Sequence, residues 1–286
     1  MPVLPVCTCV SCPSHSQVRC GVYPSSMSDE QWVIVEAALP RQAWETGPGR
    51  PEAHPRRRIV DAIFYLVTEG VRWRALPAEF PPWQTVYGFF ARWRDNGTWQ
   101  RVHDSLREQV RVRAGRTALP TAGIIDSQSI KGAETVGRGR RGFDAGKKIN
   151  GTKRHIAVDT LGLLLIVIVT AASIQDRDGA AALLSILRER FSTIQMVWAD
   201  GGYAGRLLPW ARKCLRLTVT VVKRSDDTKG FVVLPRRWVV ERTLGWLTRN
   251  RRLVRDYERL STTHEAMTLI AMTRLMSRRL ARPTAN

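Results

Sequence analysis

Acidic residues are few in this chain of 286: 25 Asp and Glu stand against 45 Lys and Arg, a formal charge of +20 at pH 7. That balance points to a polyanion as partner, nucleic acid before an anionic membrane. Long apolar runs are also lacking. The longest, Leu161 to Ile174, is about fourteen residues, whereas a membrane-spanning helix needs about 20. It is rich in β-branched residues, which favours a buried strand. Residues 1–18 contain no Lys or Arg, and prolines interrupt their apolar stretch, so no secretory signal is expected. The Asn-Gly-Thr triplets at Asn96 and Asn150 then carry no glycosylation meaning. Global disorder is excluded, because 44% of the residues are hydrophobic, enough to build a core.

Cysteine is nearly absent after residue 20, where Cys214 stands alone. A reducing compartment without disulfides follows. Cys7, Cys9, Cys12 and Cys20 crowd the start. Thiolates at close spacing can hold zinc, but this spacing matches no common zinc site. Residues 1–26 are expected to be a disordered upstream extension. Met27 opens Ser28-Asp-Glu-Gln31, a capping box ahead of a helical run.

Two segments of different period follow. Residues 27–118 read as helical. Their apolar stripes include Trp32, Val35, Ala38 and Leu39, then Ile59, Ala62, Ile63, Leu66 and Val67, then Trp83, Val86, Tyr87, Phe90 and Trp93. Two helices joined by a short turn, the second bearing Gln84, Thr85, Arg92 and Arg94, resemble a helix-turn-helix. Contact with DNA is expected of this bundle; pure packing or dimerisation is the alternative.

From Pro120 the pattern changes. Strands are expected at 123–126, 154–159, 163–171, 193–200 and 217–223, and helices at 177–191, 206–215, 236–259 and 263–281. Residues 131–151 read as a mobile basic loop. Strands paired by hairpins, then strands alternating with helices, make an α/β fold with a mixed sheet covered by helices.

Asp126 ends one apolar run and Asp200 another. Carboxylates at neighbouring strand ends converge at one sheet edge. Glu241 follows Val239-Val240, which suggests a place near the buried side of a basic helix. There an unpaired carboxylate is costly, and a divalent cation would offset the cost. Three such ligands suit two Mg²⁺ ions, with Mn²⁺ able to substitute, poised for phosphoryl transfer. Lys131, Lys147, Lys148, Lys153 and Arg154 are candidate contacts to the DNA backbone, with a solvated basic face as the alternative. His155 reads as a structural histidine. Asp144, Asp159, Asp176 and Asp178 read as turn or cap acids. Gly142-Phe-Asp-Ala-Gly-Lys-Lys148 is one residue short of a phosphate-cradling loop and lacks its Ser or Thr.

Several motifs in order resemble the DDE transposases of bacterial insertion sequences, of the family five type. They are Ser28-Asp-Glu-Gln-Trp32, Gly70-Val-Arg-Trp-Arg-Ala-Leu-Pro77, Trp83-Gln-Thr-Val-Tyr87, Asp126-Ser-Gln-Ser-Ile-Lys131, Ala199-Asp-Gly-Gly-Tyr203 and Arg236-Arg-Trp-Val-Val-Glu-Arg242. The resemblance implies a ribonuclease-H-like catalytic domain over 119–286, preceded by an all-α helical DNA-binding domain over 27–118. It implies that Asp126, Asp200 and Glu241 hold Mg²⁺, that Arg237 touches phosphate, and that the partners are double-stranded terminal inverted repeats and target DNA. It also implies a homodimer or larger assembly on DNA, and a cytoplasmic, nucleoid-associated protein without a membrane. The wider superfamily's Tyr before the Glu and cation after it are replaced here by Leu234 and Thr248. Arg249, Arg251 or Arg252 then stand in for the cation. A catalytically inactive DNA-binding relic, or a structure-selective nuclease on the same fold, are the alternatives.

Overall fold

Ser28 caps the first helix in both directions. Its hydroxyl accepts from the Gln31 backbone, and the Gln31 side chain accepts from the Ser28 backbone, each at 3.3 Å. The computed structural model describes residues 23–42, 45, 47, 48, 50–222 and 235–283, the side chains of 235–237 excepted. The four clustered cysteines therefore lie outside the described residues. Four helices come first: α1 (Asp29–Ala38), α2 (Arg56–Glu69), α3 (Trp83–Asp95) and α4 (Thr98–Arg113). Packing begins before Met27, inside the stretch expected to be an extension. The Tyr23 ring lies 4.6 Å from that of Tyr65 and 5.4 Å from that of Phe80, and Met27 donates its N–H to the buried Asp61 at 2.8 Å.

α2 buries Ile59, Val60, Ile63, Phe64, Leu66 and Val67 almost completely, each worth about 1.5–3 kcal/mol. It stops at Gly70, whose φ of +73° suits a residue without a β-carbon. Thirteen residues, Gly70 to Pro82, then separate α2 from α3 and hold a 3-10 turn at Trp73–Ala75. A helix-turn-helix has a turn of about 3–4 residues, so the tight version expected from sequence is replaced by a long, proline-bound link. α3 buries Val86, Phe89, Phe90 and Trp93, while Tyr87 is 39% exposed.

The sheet contains β1 (Ala122–Lys131), β2 (Gly142–Asp144), β3 (Ile149–Val158), β4 (Leu164–Ala171), β5 (Met196–Ala199) and β6 (Thr218–Val221). Its order is β2-β3-β1-β5-β6, with β4 also on β3. β1 is antiparallel to β3 and parallel to β5, which is parallel to β6. Helices α5 (Asp176–Arg190), α6 (Leu207–Leu215), α7 (Pro235–Thr248) and α8 (Ser261–Ala281) complete the chain. Three boundaries differ from the sequence reading. β1 runs on to Lys131, because β3 pairs with it from Ile124 to Lys131. Part of the expected mobile loop forms β2 and opens β3. The helix expected over 236–259 stops at Thr248, where the Asn250 side chain bonds the Trp246 and Leu247 carbonyls.

Alternation along the strands separates two cores. Ile124, Ile156, Val158 and Leu164 face α1–α4, α7 and α8, while Ile125, Ala157, Leu165 and Val197 face α5 and α6. The C-terminal α8 packs on α1, α2 and α4 as well as on β4. The helical region and one face of the sheet thus share a single apolar cluster, from Met27 to Met276. Among the described residues no helix is long and apolar enough to cross a membrane.

Candidate catalytic site and nucleic-acid interface

β1 and β5 pair in parallel only from Ala122–Met196 to Ile124–Trp198. Two residues further on, Asp126 and Asp200 come level. Asp126 stays in β1, held opposite Ile156 of β3, while β5 has ended at Ala199. The two carboxylates therefore stand where the central strands part. Each is half-buried and locally fixed: Asp126 accepts from the Ser127 N–H at 2.7 Å, and Asp200 caps the 3-10 turn Gly201–Tyr203 through Gly202 N–H at 2.8 Å. By parity with Ile124, Asp126 lies on the face that α7 covers. Glu241 is on α7 but exposed, not near its buried side as expected. The buried stripe is Val240, Thr243 and Leu247, and Glu241 sits one helical step of about 100° away. Among the described residues no three His, Cys, Asp or Glu side chains form a preformed metal cage. Mg²⁺ characteristically takes one or two carboxylates plus waters and substrate phosphate, so half-buried oxygens where two central strands part fit it.

Behind the carboxylates lies Tyr203, only 1% exposed. Burial, then the Asp126 and Asp176 charges, raise its pKa, and Asp200 adds to them; only Ser127 opposes. Tyr203 is thus a neutral hydroxyl within the field of both carboxylates, a role unmarked in sequence except by its place three residues after Asp200. If the two carboxylates hold a divalent cation, Tyr203→Phe should raise the metal needed for half-maximal cleavage by about 10–100-fold, the usual cost of losing a group behind a metal ligand. The thermal midpoint should stay nearly unchanged. An unaltered metal titration would remove Tyr203 from the site.

Two of the expected DNA contacts are structural instead. Lys153 is buried; its Nζ bonds Asp176 at 2.8 Å, the Ile174 carbonyl at 2.7 Å and lies 3.4 Å from Asp144. Arg154 is fully buried between Gln128 at 2.5 Å and His264 at 3.3 Å. Burial pulls its pKa down to about 10. Their strand alternates across a sheet covered on both faces, so Arg154 is enclosed and Lys153 is almost so. Arg252 is likewise buried against Glu258 at 2.7 Å, whereas Arg249 and Arg251 are exposed. Lys131, Lys147, Lys148, Gln84 and Arg92 are exposed, and Thr85 is half-buried. The Arg237 side chain lies outside the described residues. Asp144 is held at about 2 by the Ser129 hydroxyl 2.5 Å away, with help from Lys147 and Lys153. Burial opposes the Asp176 charge, but bonds from Lys153 and Ser127 outweigh it and hold that carboxyl below its ordinary range.

His155 is 1% exposed, its Nε2 3.0 Å from the Thr170 hydroxyl. A β-carbon at Gly179 would fall 2.2 Å from its ring, so only glycine lets α5 approach. Burial lowers the His155 pKa from 6.5 to about 4, though Asp176 opposes this. The unfolded chain binds the proton more readily, so this stabilisation is present above about pH 6.5 and drains away toward pH 4. Urea unfolding should show wild type losing about 3 kcal/mol relative to His155→Gln across that window. Parallel pH profiles would contradict it.

Strand order β4-β3-β1-β5-β6, helices on both faces, and acids where the parallel central strands part define a ribonuclease-H-like fold. The family model described as transposase DDE domain matches residues 117–276, more than half of the chain, and the chain belongs to that family. A second model, described as putative transposase of IS4/5 family, matches residues 27–103. The chain is 32% identical over 119 residues to the insertion element IS402 uncharacterized 16.2 kDa protein of Burkholderia cepacia, covering 40% of this chain and 77% of the relative. It is 30% identical over 123 residues to the putative transposase for insertion sequence element IS402 of the same organism, covering 41% of this chain and 58% of the relative.

Proposed function

We propose that this chain is the DNA transposase of an insertion sequence, acting in the cytoplasm on the nucleoid. The observation that carries the reading is the levelling of Asp126 and Asp200 at the parting of β1 and β5 in a chain of charge +20. Asp126, Asp200 and Glu241 would hold two divalent cations, Mg²⁺ or Mn²⁺, which when bound acidify water and neutralise charge at a scissile phosphate. Asp126 and Asp200 would serve as half-buried ligands fixed by Ser127 and Gly202, and Glu241 would join them from α7. The first reaction is hydrolysis of the phosphodiester at the element end, leaving a 3′-hydroxyl. That hydroxyl then attacks a target phosphodiester, forming one P–O bond as the target's own 3′-oxygen leaves. One phosphodiester replaces another, so no nucleotide triphosphate is needed. Protein groups add positioning and charge rather than covalent chemistry.

Lys131, Lys147, Lys148 and Arg237 would meet backbone phosphates, and the exposed face of α3, with Gln84, Thr85 and Arg92, would read the terminal inverted repeats. Two ends must be held together, so the working form is a dimer or larger. The test is a labelled duplex carrying the element's own end, incubated with Mg²⁺ or Mn²⁺ and resolved for cut and joined strands. Joined products support the transposase; cutting without joining supports a nuclease. Metal-independent binding with no cutting in either ion would mean an inactive relic.

A further inference from the structure

Two cavities lie side by side beyond the turn that Asp200 caps. One, of about 410 Å³, is lined by Asp144, Lys147, Lys153, Asp176 and Gly202 together with Gln175 and Arg177. The other, of about 650 Å³, shares Gln175 and Arg177 and continues to Asp178, Arg206 and Trp210. Together they form one trough from the β2–β3 loop, past Gly202, to α6. It is separate from the α7-covered face and from the exposed face of α3.

The walls carry each kind of group that an unpaired strand uses. Lys147, Arg177 and Arg206 are exposed and have no ion-pair partner among the described residues, so they are available to phosphates. The Lys153 charge is matched within the wall by Asp144 and Asp176. Trp210, half-buried against the core under α5 and α6, lines the trough, and an indole is a platform on which an unpaired base stacks. Gln175 and Asp178 can meet base edges, an amide at adenine and a carboxylate at the cytosine amino group. A duplex hides its base faces and presents convex phosphate rows, so it uses neither the concavity nor the ring.

We infer that this trough binds the single DNA strand freed beside the cut at an element end. The inference rests on the transposase reading for its ligand, but not on metal chemistry. The test uses full-length protein without divalent metal and two labelled probes: a blunt duplex carrying the element end, and the same duplex with a single-stranded extension of about six nucleotides. In wild type the extension should tighten binding by about tenfold or more. Arg177→Ala with Arg206→Ala should lose that gain and keep the blunt-duplex affinity. Its dependence of log K on log salt, on the extended probe, should be shallower by about 1.4, or about 0.7 per phosphate lost. Trp210→Leu should lose the gain with the salt slope unchanged. No gain in wild type, a gain retained in all variants, or an equal loss on both probes would overturn the inference. Failure of the transposase reading looks different: no cutting, and no preference for the element end over a scrambled duplex, with the extension gain intact.

Discussion

Replacing Asp126 or Asp200 by Asn should abolish cutting and joining while leaving the protein folded and bound to DNA. The amide oxygen can still accept from Ser127 or Gly202 N–H, so the local turn survives. On the proposed reading what is lost is a charged oxygen ligand, worth several kcal/mol of transition-state charge stabilisation. At about 1.36 kcal/mol per decade that is roughly a thousandfold in rate. Single-turnover cleavage of a labelled end, with binding measured alongside, gives the comparison. Glu241→Gln belongs in the same series. Glu241 is exposed, so the thermal midpoint is measured alongside, and a thousandfold loss of rate at an unchanged midpoint would be catalytic. More than a tenth of the wild-type rate in Asp200→Asn would put the metal elsewhere.

The largest expected effect on stability is far from that site. Asp159 is fully buried, receives Leu161 and Leu163 N–H at 2.9 and 2.8 Å, and pairs with the buried Arg111. Arg111 also donates to the Thr117 carbonyl at 2.9 Å. The pair ties α4 to the β3–β4 hairpin. Asp159→Asn keeps an acceptor for the turn but leaves Arg111 buried and uncompensated, at a cost of about 3–5 kcal/mol. For a chain of this size the melting temperature should drop by roughly 10 °C. Adding Arg111→Met should restore much of it, since no buried charge is then left without its partner. A drop below about 2 °C in Asp159→Asn would mean that Arg111 finds another partner or water.

The sequence made some of this visible for local reasons. Acids that end apolar runs marked Asp126 and Asp200, and Ser28 with Gln31 marked the start of α1. It hid what depends on distant partners. The second half of β1, Ser127 to Lys131, is polar, and it is a strand because Thr152, Lys153 and Arg154 pair with it. Lys153 and Arg154 read as contacts to the DNA backbone because their partners, Asp176 and His264, lie 23 and 110 residues away. Glu241 was misjudged because two adjacent valines do not show which one faces the core; Val240 does, and the stripe it starts leaves Glu241 outside.

The C-terminal helix has a bearing on biosynthesis. α8 completes the core of the first four helices, so those helices cannot bury all of their apolar faces until α8 has emerged. At about 5–20 residues per second, the ribosome needs on the order of 10–30 s between finishing α4 and finishing α8. During that time part of the apolar surface of the nascent N-terminal helices is open to chaperones and proteases, and a chain cut short before α8 should lack the packing that completes this core.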